Sequence, residues 1–402
     1  MKSKFNNLYI ILLLVGFLIS SFIPSFFGIK GDGINVIYRV IVLGFSLILI
    51  FFNFLSERND FKSLNKFTLF FIFWGIYSLF LLNDIFINQF KLAFGKTYSE
   101  YLQFAFGVVL LPAVALIFLD YKKINFKLIL NSIYYTIYFF LLLSLIKRSS
   151  ENISGRELGD LEIGILIYGQ YGTMLSLLSV YKLIKEKINI YTLVYILGLV
   201  IGILVIFVSE SRSPFIALIL SIIYFFVVKR GTKGISYLLI IFSVFFLFLK
   251  DIITFLNSLF QSRFFERLVS TFDKENAREG LIKVAFNEFL DNPFFGKSIV
   301  IQTYPYIGSY PHNLFIEVLM SSGFFVACLL VYLIMNTMFV KGKMVIKKDN
   351  YTGWVPMLFF QFFVFSMFSN NIYSNNLLWH LLILTIITYK YEKYNITIYN
   401  NK

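Results

Sequence analysis

The sequence predicts an all-α polytopic membrane protein of about twelve transmembrane helices, and three observations carry that prediction. Of the 402 residues, 58% are apolar, against roughly 45–50% in a soluble domain. Only 14% are charged, and mean hydropathy is +0.77. The apolar residues also fall in runs of about 18 or more, the length that crosses a bilayer as a helix. Twelve such spans absorb nearly all the apolar content, so residues 1–402 read as a single integral membrane domain with no room for two or three soluble ones.

The runs lie near 8–27, 34–55, 66–82, 98–119, 126–146, 162–181, 190–208, 213–228, 235–257, 313–340, 354–370 and 376–389. The first follows Lys2 and Lys4 as a signal peptide would, but it is long and lacks a small-x-small cleavage site, so it is expected to stay as a span. With both termini on one side, the joints on that side carry 21 Lys and Arg against 6 Asp and Glu. The positive-inside rule makes this side, and both termini, cytoplasmic. The net charge of +14 therefore reports topology and attraction to inner-leaflet lipids, and no nucleic-acid partner is expected.

One joint is long, residues 258–312, on the outer face between spans nine and ten. Long loops are disproportionately functional. Within it, Asn276 and Glu279 have capping-box spacing and Pro293 ends the run, which predicts a short amphipathic helix over about 277–291. Leu281, Ile282, Ala285 and Phe289 share its apolar face, and Arg278 falls in the middle of that face. An arginine in a first helical turn is disfavoured by the macrodipole. It calls for an ion-pair mate, a snorkelling contact or a bound anion.

Arg212 sits in SESRSP, residues 209–214, a tight outer turn between two spans. Glu210 is an obvious mate for it, yet Ser209, Ser211 and Ser213 surround it with hydroxyls, and such a turn could cradle a phosphate. His312 and Asn313 open the tenth span. Asn313 reads as its N-cap, while His312, at a helix N-terminus, is expected to be neutral near pH 7, either a second cap or a proton acceptor. Glu317, one turn deeper, needs a cavity or a partner. Arg39 in the second span reaches an outer cavity or snorkels. Arg156, Glu157 and Asp160 read as a solvated cluster, GIKGDG at 28–33 as a turn, and Gln103, Gln170, Gln361 and His380 as helix-packing hydrogen bonders. One cysteine and two histidines build no disulfide and no zinc or iron site. No nucleotide or cofactor motif is visible, and no metal is expected.

Three segments together, SESRSP at 209–214, AREGLIKVAFNEFLDNPFFGKS at 277–298 and PHNLFIEVLMSSG at 311–323, resemble the Wzy-type O-antigen polymerases and the related O-antigen ligases. The likeness covers the second half of the chain well and the first by span count. The family usually has Trp about four residues after the loop arginine, where this chain offers Lys283 or Val284, and often a second Gly after NPxxG. The resemblance implies an inverting, metal-independent glycosyltransferase without cofactor, at the bacterial plasma (inner) membrane, whose partner is an undecaprenyl-pyrophosphate-linked oligosaccharide. Arg212, Arg278 and Arg39 would hold the pyrophosphate, with His312 or Glu317 as base and Asn313 and Ser211 in support. A polymerase of O-antigen or capsule repeat units, working with a chain-length regulator, is the first expectation. A ligase to lipid A core is the second and a lipid-linked sugar flippase a more distant third.

Overall fold

A bilayer offers the backbone no hydrogen-bond partners, so each apolar run must satisfy its own N–H and C=O groups, and the helix is the form that does so within one segment. The structure is a computed structural model and describes residues 2–26, 33–54, 65–93, 95–150, 164–231, 233, 234, 236 and 277–400. The helices in chain order are α1 (Lys2–Phe26), α2 (Gly33–Phe54), α3 (Thr68–Asn83), α4 (Tyr98–Ile117), α5 (Phe126–Ser150), α6 (Ile165–Lys185), α7 (Tyr191–Val208), α8 (Arg212–Arg230), α9 (Ala277–Asp291), α10 (Leu314–Lys348), α11 (Trp354–Ser366) and α12 (Asn376–Asn400). Wider π turns end α3 at Asp84–Asn88 and interrupt α4 at Gln103–Leu110 and α10 at Asn336–Gly342. No strand occurs among the described residues.

Seven described helices are long and apolar enough to cross a membrane: α1, α3 with its π turn, α4, α5, α7, α8 and α10. The apolar parts of α2 and α11 are shorter. The expected ninth span at 235–257, the Asn276 cap, the Arg156 cluster and the turn before Gly33 lie outside the described residues. Helices α5 and α12 outrun their apolar stretches, because hydrophobic length measures bilayer thickness and not where a helix must stop.

Small residues set one close helix contact. A Cβ on Gly202 would lie 2.4 Å from Ser176 Oγ and 2.6 Å from Gly172 O, so α6 and α7 approach backbone to backbone, as small-xxx-small faces allow. Elsewhere aromatic side chains fill the core. Trp379 of α12 stacks on Phe73 of α3 at 5.3 Å and meets Trp74 edge-on at 5.1 Å.

At one end, Asp349 gathers the basic joints. Its carboxylate accepts from Lys229 Nζ at 2.7 Å and from Tyr181 Oη, its backbone carbonyl accepts from Lys185 Nζ, and its side chain is 3% exposed. At the other end the long loop docks onto α10. The helix breaks at Gly323 (φ 78°, ψ −176°), and the NPFFG turn enters the break. There Lys297 N–H donates to Met320 O at 2.7 Å and Phe324 N–H donates to Pro293 O at 2.8 Å.

Candidate active site

The loop after α9 is fixed by two buried carboxylates. Asp84 Oδ2, on the π turn after α3, accepts the Ile299 N–H at 2.8 Å. Glu288 Oε1 accepts the Gln302 N–H at 2.8 Å and the Thr303 hydroxyl at 2.6 Å. Gln302 in turn pairs with the backbone of Lys91 through Oε1 and Nε2. The backbone therefore reaches Tyr310 and His312 along a pinned path.

Asn313 caps α10 as expected, its Oδ1 accepting from Phe315 N–H at 3.1 Å and Ile316 N–H at 3.2 Å. His312 is not a second cap. It takes a left-handed backbone (φ 55°) that turns its half-buried ring onto Tyr310, centroids 4.3 Å apart, and its buried Nδ1 has no hydrogen-bond partner among the described residues. Burial, and then the positive Arg278, hold its pKa below the ordinary 6.5. Burial raises the Tyr310 hydroxyl and Glu317 raises it further, while Arg278 pulls it down. Arg278 thus bears on both Tyr310 and His312, and Glu317 on Tyr310.

Glu317 is fully buried, and its Oε1 accepts the backbone N–H of Ile372 at 3.0 Å. Ile372 belongs to the segment between α11 and α12, and its carbonyl accepts from Trp379 Nε1 at 3.0 Å. This segment forms one wall of a cavity of about 420 Å³. Arg39 also lines it, its guanidinium 4.5 Å over the Phe104 ring. Tyr101, Tyr310 and Tyr373 also face the cavity, the rings of Tyr101 and Tyr373 being 4.7 Å apart. Tyr310 is thus both a wall of the cavity and the neighbour of His312.

Two expectations need correction. Arg278 is exposed rather than buried in the apolar face of α9; Ala285 and Glu288 are the buried residues there, with Leu281 and Val284 partly covered. One helical turn nearer the end, the Arg278 side chain escapes the contact. The serines of SESRSP do not form an open cradle either. Ser209, Ser211 and Ser213 are each at most 4% exposed, and Ser209 Oγ donates to Ile206 O at 2.8 Å. They are covered because the turn packs on α6, where a Cβ on Gly169 would lie 2.7 Å from Ser209 Oγ. Arg212 opens α8 directly after the N-cap Ser211 and is not on the cavity wall, although Gln170, the neighbour of Gly169, is.

Sequence reasoning overlooked the loop SNNIYSNN, residues 369–376, from which Asn370, Asn371, Asn375 and Asn376 line the cavity. Four asparagines in eight residues between two apolar runs was the available signal. Among the described residues, no group of three or more His, Cys, Asp or Glu side chains comes together to hold a metal ion.

The fold and this buried polar end define the class, a polytopic helical membrane protein with a pocket lined by Tyr310 of the long loop and by the 369–376 loop. Residues 197–331, from α7 through the long loop into α10, match the family model described as O-antigen ligase, and this match supports membership of the O-antigen ligase and polymerase superfamily. The family points to glycosyl transfer on lipid-linked polysaccharide within a membrane. No curated protein matches the chain.

Proposed function

We propose that this chain polymerises oligosaccharide repeat units carried on undecaprenyl pyrophosphate into a surface polysaccharide, O-antigen or capsule, on the outer face of a bacterial plasma membrane. The observation that carries the reading is His312 packed on Tyr310, a wall of a cavity that Arg39 also lines, with the charge of Arg278 bearing on both. In the reaction, an acceptor sugar hydroxyl attacks the anomeric carbon of the donor. The bond from that carbon to the pyrophosphate oxygen breaks, the configuration inverts, and the hydroxyl proton passes to His312. The lipid pyrophosphate departs with the bonding pair. A neutral imidazole is the form that accepts a proton, and both burial and Arg278 favour it. Arg278, Arg212 and Arg39 offer planar guanidinium contacts to a leaving group whose charge grows in the transition state. Glu317 acts as a positioning residue through Ile372, Asn313 fixes the start of α10, and Ser211 supports the turn that leads into α8. The 369–376 loop, Tyr310 and the cavity they help to wall form the working part of one membrane domain.

A ligase, which transfers finished polysaccharide to a lipid A core, is the second reading, favoured by the description of the matching family. Deletion of the gene separates the two: a lost polymerase leaves single repeat units on the surface, and a lost ligase leaves long chains on the carrier lipid. Unchanged glycan length and attachment would remove both.

A further inference from the structure

Where the long loop docks on α10, large apolar side chains face outward. Phe294 and Phe295 of the NPFFG turn, and Phe324 and Phe325 just past the break in α10, are each more than half exposed. Phe294 stacks on Phe325 with ring centroids 6.1 Å apart. Beyond Phe325 the exposed residues of α10 continue as Cys328, Val331, Tyr332 and Phe339, a stripe at helical spacing on a helix long enough to cross a membrane. The turn therefore extends a lipid-facing surface. Helix α9 leads into it with a polarity gradient. Along one strip, Glu279 and Lys283 give way to Phe286 and Leu290, all four exposed. The ion pair of Asp291 with Lys297 at 3.2 Å neutralises the two charges flanking the turn.

Two spans give this patch the same height. Lys341 of α10 feels the charge of Lys66, which precedes α3, so the two lysines mark one side of the membrane, the inner side by the positive-inside rule. Asp84 comes 18 positions after Lys66, and Gly323 comes 18 positions before Lys341. Each interval is about 27 Å at 1.5 Å per residue, close to the roughly 30 Å hydrocarbon core of a bilayer. The long loop is pinned at these same two levels, Ile299 on Asp84 and the NPFFG turn at the Gly323 break. We propose that the outer surface of the bilayer crosses the protein at Asp84 and Gly323, and that α9 and the NPFFG turn insert Phe286, Leu290, Phe294 and Phe295 into the outer leaflet. The long loop is then an interfacial anchor covered by lipid. It fixes the height above the leaflet of the chain that leads on to His312.

The test is spin-label depth in the full chain, with Cys328→Ala removing the exposed native thiol, reconstituted in nanodiscs of phosphatidylethanolamine and phosphatidylglycerol. Lys283→Cys, Leu290→Cys, Phe295→Cys and Tyr304→Cys are labelled one at a time. Collision with oxygen, which concentrates in lipid, is compared with collision with a nickel chelate, which stays in water. Labels at 290 and 295 should favour oxygen, and labels at 283 and 304 should favour nickel. In discs of brominated lipid, Phe295→Trp should add a blue-shifted emission that the lipid quenches, over a background from Trp74, Trp354 and Trp379, which are fully buried. A label at 295 as open to nickel as the one at 304, or a Phe295→Trp emission that brominated lipid leaves unquenched, overturns the proposal. So does a label at 295 shielded from both reagents, the sign of a protein surface covering the patch. Depth is read without turnover, so its failure leaves the polymerase reading standing, and loss of that reading leaves the anchor in place.

Discussion

Glu317 and Ile372, 55 positions apart in sequence, are joined by a carboxylate oxygen accepting a backbone N–H at 3.0 Å inside the protein. The bond links the first turn of α10 to the loop that walls the cavity. Glu317→Leu leaves that N–H unpaired and should destabilise the protein by about 1–3 kcal/mol, read as a lower melting temperature in detergent, with loss of polymer formation. Glu317→Gln keeps an acceptor oxygen and should retain most of both. A Glu317→Gln protein that is stable and inactive would instead make the carboxylate itself the base.

The acid limb of the reaction should report His312. Its pKa is lowered first by burial and then by Arg278, so the wild-type rate should fall only below about pH 6.5, the unperturbed histidine value. Replacing Arg278 by Gln removes one lowering cause. The residual activity should then be lost at a higher pH than in wild type, since more imidazole is protonated at any given acidic pH. A limb that stays in place, or a fully active His312→Gln, would dissociate His312 from proton transfer.

Removal of a guanidinium should cost rate more than stability. Arg278→Ala is expected to lose about 10²–10³ in turnover, by analogy with loss of one donor to a developing oxyanion, with Arg278→Lys recovering part of it because an ammonium lacks the planar two-point contact. The measurement is polymer formation from purified lipid-linked repeat units. Wild-type turnover in Arg278→Ala would reduce the residue to a surface charge.

Gly323 sits at φ 78° and ψ −176°, a region essentially reserved for glycine. A Cβ there would also lie 2.2 Å from Phe294 O. Gly323→Ala should therefore destabilise by about 1–3 kcal/mol from the backbone alone and release the NPFFG turn, seen as faster proteolysis between residues 292 and 300. Unchanged proteolysis would mean that the break in α10 is held by other contacts.

Ser309 precedes α10 and Lys347 lies near the end of that helix, which is 35 residues long. In a Cys328→Ala background, which removes the exposed native thiol, Ser309→Cys should react with an impermeant thiol reagent on intact cells and Lys347→Cys should not. Labelling of Lys347→Cys alone would invert the topology.

Helix placement was legible because bilayer crossing imposes a local rule: an apolar run and its polar ends stand side by side in sequence. For the same reason the Asn313 cap and α9 could be read directly. What could not be read depends on partners far away. Nothing local marks Glu288 as the acceptor for Gln302 and Thr303, or Asp84 as the acceptor for Ile299. Arg278 was assigned to an apolar face by angle alone, although a residue at the first turn has room to leave that face. The cavity itself is assembled from α1, α2, α4, α6, α11, α12 and three loops, and no window of sequence contains it.

The docking of NPFFG into the break of α10 has a consequence for exchanging parts between relatives. Lys297 N–H and Phe324 N–H are each satisfied by a carbonyl from the other segment. A chimera that imports 292–297 without 320–324, or the reverse, keeps these backbone groups but must reproduce their fit, in which a Cβ on Gly296 would lie 2.5 Å from Ser322 N and one on Gly323 2.2 Å from Phe294 O. The two short stretches are one inheritable unit, and a loop graft designed to change specificity must carry both across together.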